Sequence, residues 1–226
     1  MDERLKKLLM LVIEDVIETG EPVGSQYLVD AHQLDMSPAT VRNWFAELEA
    51  EGYIAQPHTS SGRMPTEKGY RLYLDELMQS RPLAKRVRAS LEGAMNIPVE
   101  KSRKIKAFAK LTAEIAESAV LVGLNEADTF YTGLSHLFAQ PEFREVSRVV
   151  SLSEMLDRLD DVLRRVRGNV YHEPVALIGN ECPFGNACGS IIMTLPDGTL
   201  FGLLGPMRMD YREGFALLAA AKELLQ

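Results

Sequence analysis

Residues 37–68 read SPATVRNWFAELEAEGYIAQPHTSSGRMPTEK, and this stretch decides the fold of the first part of the chain. Ser37 followed by Pro38 is a strong helix start, with serine as N-cap and proline at the first helical position. At about 100° per residue, Val41, Phe45 and Leu48 fall on one stripe and predict the buried face. The helix runs to about Glu51, and Gly52 is its C-terminal signal. Tyr53 to Pro57 reads as a short strand, and His58-Thr59-Ser60-Ser61-Gly62 as a polar turn. Arg63-Met64-Pro65-Thr66 leads back as the second arm, and Thr66 caps a further helix holding Tyr70, Leu74 and Leu77, which ends near Ser80. Upstream, residues 4–19 carry Leu5, Leu8, Leu9, Val12, Ile13, Val16 and Ile17 at helical spacing, closed by Gly20 and Pro22. Ser25 is expected to cap a short second helix, joined to the third by a tight connection at Leu34-Asp35-Met36. Three short helices followed by a hairpin make a helix-turn-helix with a wing.

The face of the third helix opposite its apolar stripe presents Ala39, Asn43 and Ala46, flanked by Thr40 and Arg42. A helix lying in a DNA major groove offers such N-terminal residues to base edges, asparagine suiting adenine and arginine guanine. Its free N–H groups near Ser37 and Thr40 suit a phosphate. On the loop, His58, Thr59, Ser60, Ser61 and Arg63, with Lys68 just beyond, supply the hydroxyl and basic donors that contact a phosphate backbone. Read alone, the helix is a capped surface helix and the loop ordinary turn chemistry; their succession favours DNA.

Composition bounds the remaining possibilities. Hydrophobic residues at 46% and charged residues at 25% of 226 exclude wholesale disorder. No apolar run reaches the roughly 18 residues of a membrane span, the start has no signal-peptide pattern, and two cysteines are too few for a disulfide framework. A soluble cytoplasmic protein without membrane association is expected. The net charge of −7 is unevenly distributed. Residues 1–80 hold 7 basic and 14 acidic side chains, residues 81–110 hold 9 and 2, and the remainder 9 and 16. The basic stretch reads as a solvated helix face or linker, the alternative being a strip along phosphates.

From Lys104 the pattern changes. A helix with Ile105, Phe108, Leu111 and Ile115 leads into an apolar strand at 119–123. Residues 130–167 read as helical, in segments around Leu134–Phe138 and Leu152–Val166. Strands follow at 175–178, 189–195 and 200–204, with a turn at Pro196-Asp197-Gly198, and residues 211–225 close as a helix. Gly202, Gly205 and Pro206 are taken as a turn. The pattern is that of a compact α+β domain. Cys182 and Cys188 have only His172 nearby, so a zinc site lacks ligands. Glu181 and Asp210 read as loop or capping residues, and no catalytic triad, HExxH or phosphate loop appears. No enzyme, metal or cofactor is expected. The apolar strands 119–124, 175–178 and 189–204 are expected to fill a core rather than line a ligand pocket.

Several long ordered motifs carry a resemblance. Glu21-Pro22-Val23-Gly24-Ser25, SPATVRN (37–43), LEAEGYI (48–54), QPHTSSGRMPTEKGYR (56–71) and YLDEL (73–77) resemble the HrcA family of bacterial heat-inducible transcription repressors. GLSHLFAQPEF (133–143), the segment 178–181 and GPMRMDY (205–211) extend the resemblance to the C-terminal part. The resemblance implies an N-terminal winged helix and a C-terminal GAF-like domain in a homodimer on an inverted-repeat operator of the CIRCE type, with the chaperonin GroEL promoting the DNA-bound form. Carried onto matching positions, the DNA contacts are Ser37, Thr40, Arg42, Asn43, His58, Thr59, Ser60, Arg63 and Lys68. Two departures stand out. Val122-Gly123-Leu124 passes almost directly to Tyr131-Thr132-Gly133-Leu134, so a dimerising insertion and part of the central sheet are expected to be absent. Trp44 stands where the family usually has an acidic residue, and its position beside the core stripe points to packing.

The expected organisation is therefore a winged-helix DNA-binding domain at 1–80, a basic helix and linker at 81–103, and a truncated GAF-like regulatory and dimerisation domain at 104–226. The expected function is repression of chaperone operons. The alternative is a winged-helix regulator or a protein-interaction or small-molecule sensor that has lost the heat-shock circuit and operator specificity.

Overall fold

The computed structural model describes residues 1–58, 61–79, 81–96, 98–125, 128–143 and 146–225. They fall into two units, Met1–Gln79 and Ser80–Gln226. In the first, helix α1 (Glu3–Thr19) starts where the Asp2 carboxylate accepts from the Arg4 N–H, and stops at Gly20, whose φ of 72° turns the chain left-handed. Its Leu5, Leu8, Leu9, Val12, Ile13 and Val16 are buried, as their spacing predicts. Asp15 is buried with them, and its carboxylate meets the His32 ring nitrogen at 2.9 Å. Helix α2 (Ser25–Ala31) departs from expectation at its start. Gly24 is the N-cap and Ser25 the first helical residue, with no side-chain cap.

Helix α3 (Pro38–Ala50) buries Val41, Phe45 and Leu48 and begins with the Ser37 hydroxyl accepting from the Thr40 N–H at 3.1 Å. Strands β1 (Ile54–Ala55) and β2 (Met64–Pro65) pair antiparallel as the wing, and Val23 joins them through a bridge to Arg63. Gly62 permits that bridge, because a Cβ there would sit 2.4 Å from the Val23 carbonyl. Thr66 caps helix α4 (Glu67–Leu72), which widens into a π turn at Tyr73–Leu77 and buries Tyr70 and Tyr73.

The second unit opens with α5 (Lys85–Met95) and α6 (Lys101–Ala116). The segment read as helix and linker is thus α5, a short connection and the first turn of α6. Helix α5 packs on α6 and on the last helix of the chain. Strands β3 (Ala119–Gly123) and β4 (Thr129–Thr132) form a hairpin. Helices α7 (Leu134–Ala139), α8 (Val146–Asp157) and α9 (Leu159–Arg167) follow, then β5 (Val175–Ile178), β6 (Cys188–Thr194), β7 (Leu200–Pro206) and α10 (Tyr211–Leu224). The sheet order is β4-β3-β7-β6-β5, every pairing being antiparallel. Helices lie on both faces, giving a GAF-like α+β unit. The sheet is continuous across five strands, with β3 and β4 joined as a hairpin where Gly123 and Tyr131 follow closely.

Thr129-Phe130-Tyr131-Thr132 is an edge strand, not the start of a helix. Its β-branched and aromatic residues fit that role, but four residues, three half-buried and Tyr131 exposed, give no periodicity to read. Gly202, Gly205 and Pro206 lie inside β7, not in a turn. A Cβ on Gly202 would come within 2.9 Å of Ile192, so glycine there answers close packing of β7 against β6.

Strands β3, β6 and β7 are almost wholly buried on both faces, which is why they read as apolar runs. Leu121, Ile192, Leu200 and Leu204 belong to the core cluster that includes Leu137, Leu152, Leu159 and Val162 of α7, α8 and α9. On the other face Phe201 meets Phe108 of α6 edge-on at 5.8 Å, and Ile191 and Leu203 close on Gly214 of α10. Phe201→Ala should therefore destabilise the second unit by about 3–5 kcal/mol in urea unfolding. In the β6–β7 turn, burial would raise the Asp197 carboxyl. The hydrogen bond from Lys101 and those from Thr199 outweigh it and hold the group below its ordinary 3.8. A depressed folded value stabilises the fold above the unfolded value, and that stability is lost as pH falls through the folded one. Asp197→Asn should thus narrow the stability difference between pH 7 and pH 3 in thermal melts.

Candidate nucleic-acid interface

The interface is built from α3 and the wing. With Val41, Phe45 and Leu48 facing the core, the helix turns Arg42, Asn43 and Ala46 outward, and all three are exposed. Among the described residues no ion pair engages Arg42, so a full guanidinium stands on the N-terminal half of the outer face. Ser37 and Thr40 are already committed to the start of α3. Their hydroxyls lie 3.0 Å apart, and the Ser37 hydroxyl also takes the Thr40 N–H. Trp44 is half-buried beside the stripe, with the Arg4 guanidinium 5.5 Å over its ring. That is the packing role expected of it.

The acidic residues of α3 are held by basic partners. Arg4 reaches Glu47 at 3.3 Å. Arg63 donates to one Glu49 oxygen from Nε at 3.1 Å and from Nη2 at 3.0 Å. Negative charge on the C-terminal half of α3 is thereby offset inside the unit, while Arg42 keeps its positive charge for the surface.

Arg63 and Lys68, expected as phosphate contacts, both have internal partners. Arg63 ties the wing to α3 through Glu49. Lys68 donates from Nζ to the Glu51 carbonyl at 2.8 Å and lies 4.3 Å above the Tyr53 ring. Thr66 adds a hydroxyl bond to the Gly52 carbonyl at 2.7 Å. Together they satisfy carbonyls left open where α3 ends. Glu49 and Arg63 lie fourteen residues apart across the wing, and many pairings of opposite charge at such a distance are available in sequence.

At the wing tip, Ser61 organises the turn. Its hydroxyl accepts from the His58 N–H at 3.0 Å and donates to the His58 carbonyl at 2.7 Å, while Gln56 donates to the Ser61 carbonyl at 3.0 Å. His58 is exposed. Thr59 and Ser60 lie outside the described residues. The motifs of the C-terminal unit also meet in space: Arg208 donates to Glu142 at 2.6 Å and to Gln140 at 2.7 Å, joining the 133–143 and 205–211 segments. Asp210 caps α10. Cys182 and Cys188 are free and buried, and no metal-holding group of His, Cys, Asp and Glu occurs among the described residues. Nor is any helix among them long and apolar enough to cross a membrane.

A helix-turn-helix with a wing, followed by a GAF-like antiparallel α+β unit, defines a two-domain winged-helix protein. The family model for the HrcA protein C terminal domain matches residues 68–214. The chain belongs to the HrcA family. It is 48% identical over 120 residues to the heat-inducible transcription repressor HrcA of Acidothermus cellulolyticus, and 46% identical over 120 residues to that of Thermobifida fusca. Each match covers 51% of this chain and 35% of the relative, so the chain matches about a third of the length of these relatives. The fold is also that of a crystal structure of a hypothetical protein, with a TM-score of 0.79 at 17% identity, covering 100% of this chain and 97% of that one.

The geometry separates two kinds of residue by experiment. Lys68→Ala and Arg63→Ala should each lower the stability of the first unit by about 1 kcal/mol, because each removes a partner from α3. Arg42→Ala should leave it within about 0.5 kcal/mol, as exposed substitutions do. Thermal melts of the three variants check this.

Proposed function

We propose that the protein is a sequence-specific DNA-binding repressor, acting as a homodimer on an inverted repeat of the CIRCE type upstream of chaperone operons. The observation that carries this reading is the exposed pair Arg42–Asn43 on the outer face of a capped α3 within a winged helix, in a chain whose relatives bear the name heat-inducible transcription repressor. Two α3 helices related by a two-fold axis suit successive major grooves of a palindrome, and repression follows from blocking polymerase access. Arg42 and Asn43 read base edges. Ser37 and Thr40 present the N-terminus of α3 to a phosphate, and His58, Thr59 and Ser60 bring the wing tip to the backbone. Arg63 and Lys68 act first by holding α3 and the wing in register, and add positive charge near the duplex. The chaperonin GroEL is the proposed partner that favours the DNA-bound form, and the cytoplasm the proposed location.

Trp44, the single tryptophan of the chain, lies on the proposed recognition helix and offers a direct optical probe. In titrations near physiological salt, an inverted repeat should bind about a thousandfold more tightly than a scrambled duplex, read by anisotropy of labelled DNA and by Trp44 emission. Arg42→Ala should cost about 1–3 kcal/mol on the repeat and little on the scrambled duplex. Equal, salt-sensitive binding of both duplexes overturns the proposal.

A further inference from the structure

The DNA reading leaves unused a cleft of about 510 Å³ in the second unit. It lies between helices α8 and α9 on one side and the segment 183–187 that precedes β6 on the other. Among the described strand residues, Cys188 at the start of β6 borders this space. Its floor is apolar: Leu152, Val162, Phe184 and Cys188 line it and are all buried in the core cluster. Its rim is basic. Arg148, Arg158 and Arg165 line the cleft and are exposed, against the single carboxylate of Glu154 among the described lining residues.

The arrangement follows from helical spacing. Arg148, Leu152 and Met155 recur on one face of α8, and Arg158 and Arg165 are seven residues apart across the break into α9. The neighbouring Arg164 donates to Asp161 at 2.8 Å. Burial, with the neighbouring Cys182, pushes the Cys188 thiol up to about 12, with Arg148 acting in the opposite direction. The thiol is therefore neutral at physiological pH and adds to the apolar floor. The volume falls within the roughly 300–1,000 Å³ of small-molecule sites, whose walls are mostly apolar with a few placed polar groups.

We propose that this cleft binds a small organic carboxylate, its apolar body on the Leu152–Phe184–Cys188 floor and its anionic head held by the Arg158 and Arg165 guanidiniums. Arginine suits such a head because its planar fork meets a carboxylate with two parallel hydrogen bonds. The test compares three probes that share a tail: octanoate, octan-1-ol and octylamine, titrated calorimetrically into the full chain below their aggregation limits. Octanoate should saturate one site and shift the backbone amide resonances of Ser151, Gly185 and Cys188. Arg158→Gln with Arg165→Gln, both at exposed positions, should weaken octanoate on the order of tenfold or more while leaving the melting transition unchanged. Octanol binding as tightly as octanoate overturns the proposal. So does unchanged octanoate affinity in the double variant, or resonance shifts confined to other parts of the protein. None of these readouts involves DNA, so the outcome is independent of the operator titration.

Discussion

The first unit depends on holding one helix at both ends. A helix leaves four N–H groups and four carbonyls without internal partners. In α3 the opening end is closed locally by Ser37, and the far end by residues from beyond the wing, Lys68 and Thr66, which bond the Glu51 and Gly52 carbonyls. The Arg63–Glu49 pair adds a third tie from the wing arm. These bonds require the hairpin to fold back at a definite height on α3, and Gly62 permits the accompanying approach to Val23. The relation between helix and wing is therefore built from satisfied polar groups as much as from the small apolar core beneath.

This arrangement also accounts for an acidic protein with a candidate surface for a polyanion. Glu47 and Glu49, which share α3 with Arg42, are paired with Arg4 and Arg63. The side chains that offset them are thus spent inside the unit, and the outward N-terminal half of α3 carries the uncompensated charge. In the second unit some cations of the basic segment are paired at the surface. Arg88 bonds Glu223 at 2.6 Å and Glu92 at 3.0 Å, Lys101 bonds Asp197 at 2.9 Å, and Lys106 lies 5.5 Å over the Phe130 ring. Three cations of the segment read as a solvated helix face or linker thus tie α5, α6, α10 and the sheet together.

The second unit is organised by a sheet buried on both faces. Alternation along β7 sends Leu200 and Leu204 to the α7–α9 cluster and Phe201 and Leu203 to α6 and α10. Each helical layer thus sees half of the strand residues. The helices of one layer, α8 and α9, leave a basic-rimmed gap against the turn before β6, and Arg208 clamps the neighbouring loops through Gln140 and Glu142.

By itself the sequence determined whatever local chemistry decides. Ser37, Thr66 and Asp210 cap the helices they precede, the stripes of α1 and α3 are buried, and the 196–198 turn joins two strands, because caps, helical spacing and turn residues act within a few positions. It also carried the family, through motifs long enough to be specific. Only the tertiary structure decided the rest. Strand β4 exists because β3 offers it a partner, and α5 is a packed helix because α6 and α10 cover it. Lys68 and Arg63 became supports of α3 because the wing folds back to bring them there. In each case the deciding partner is remote in sequence, and its side chain, charge or open edge becomes available only once the chain has closed on itself.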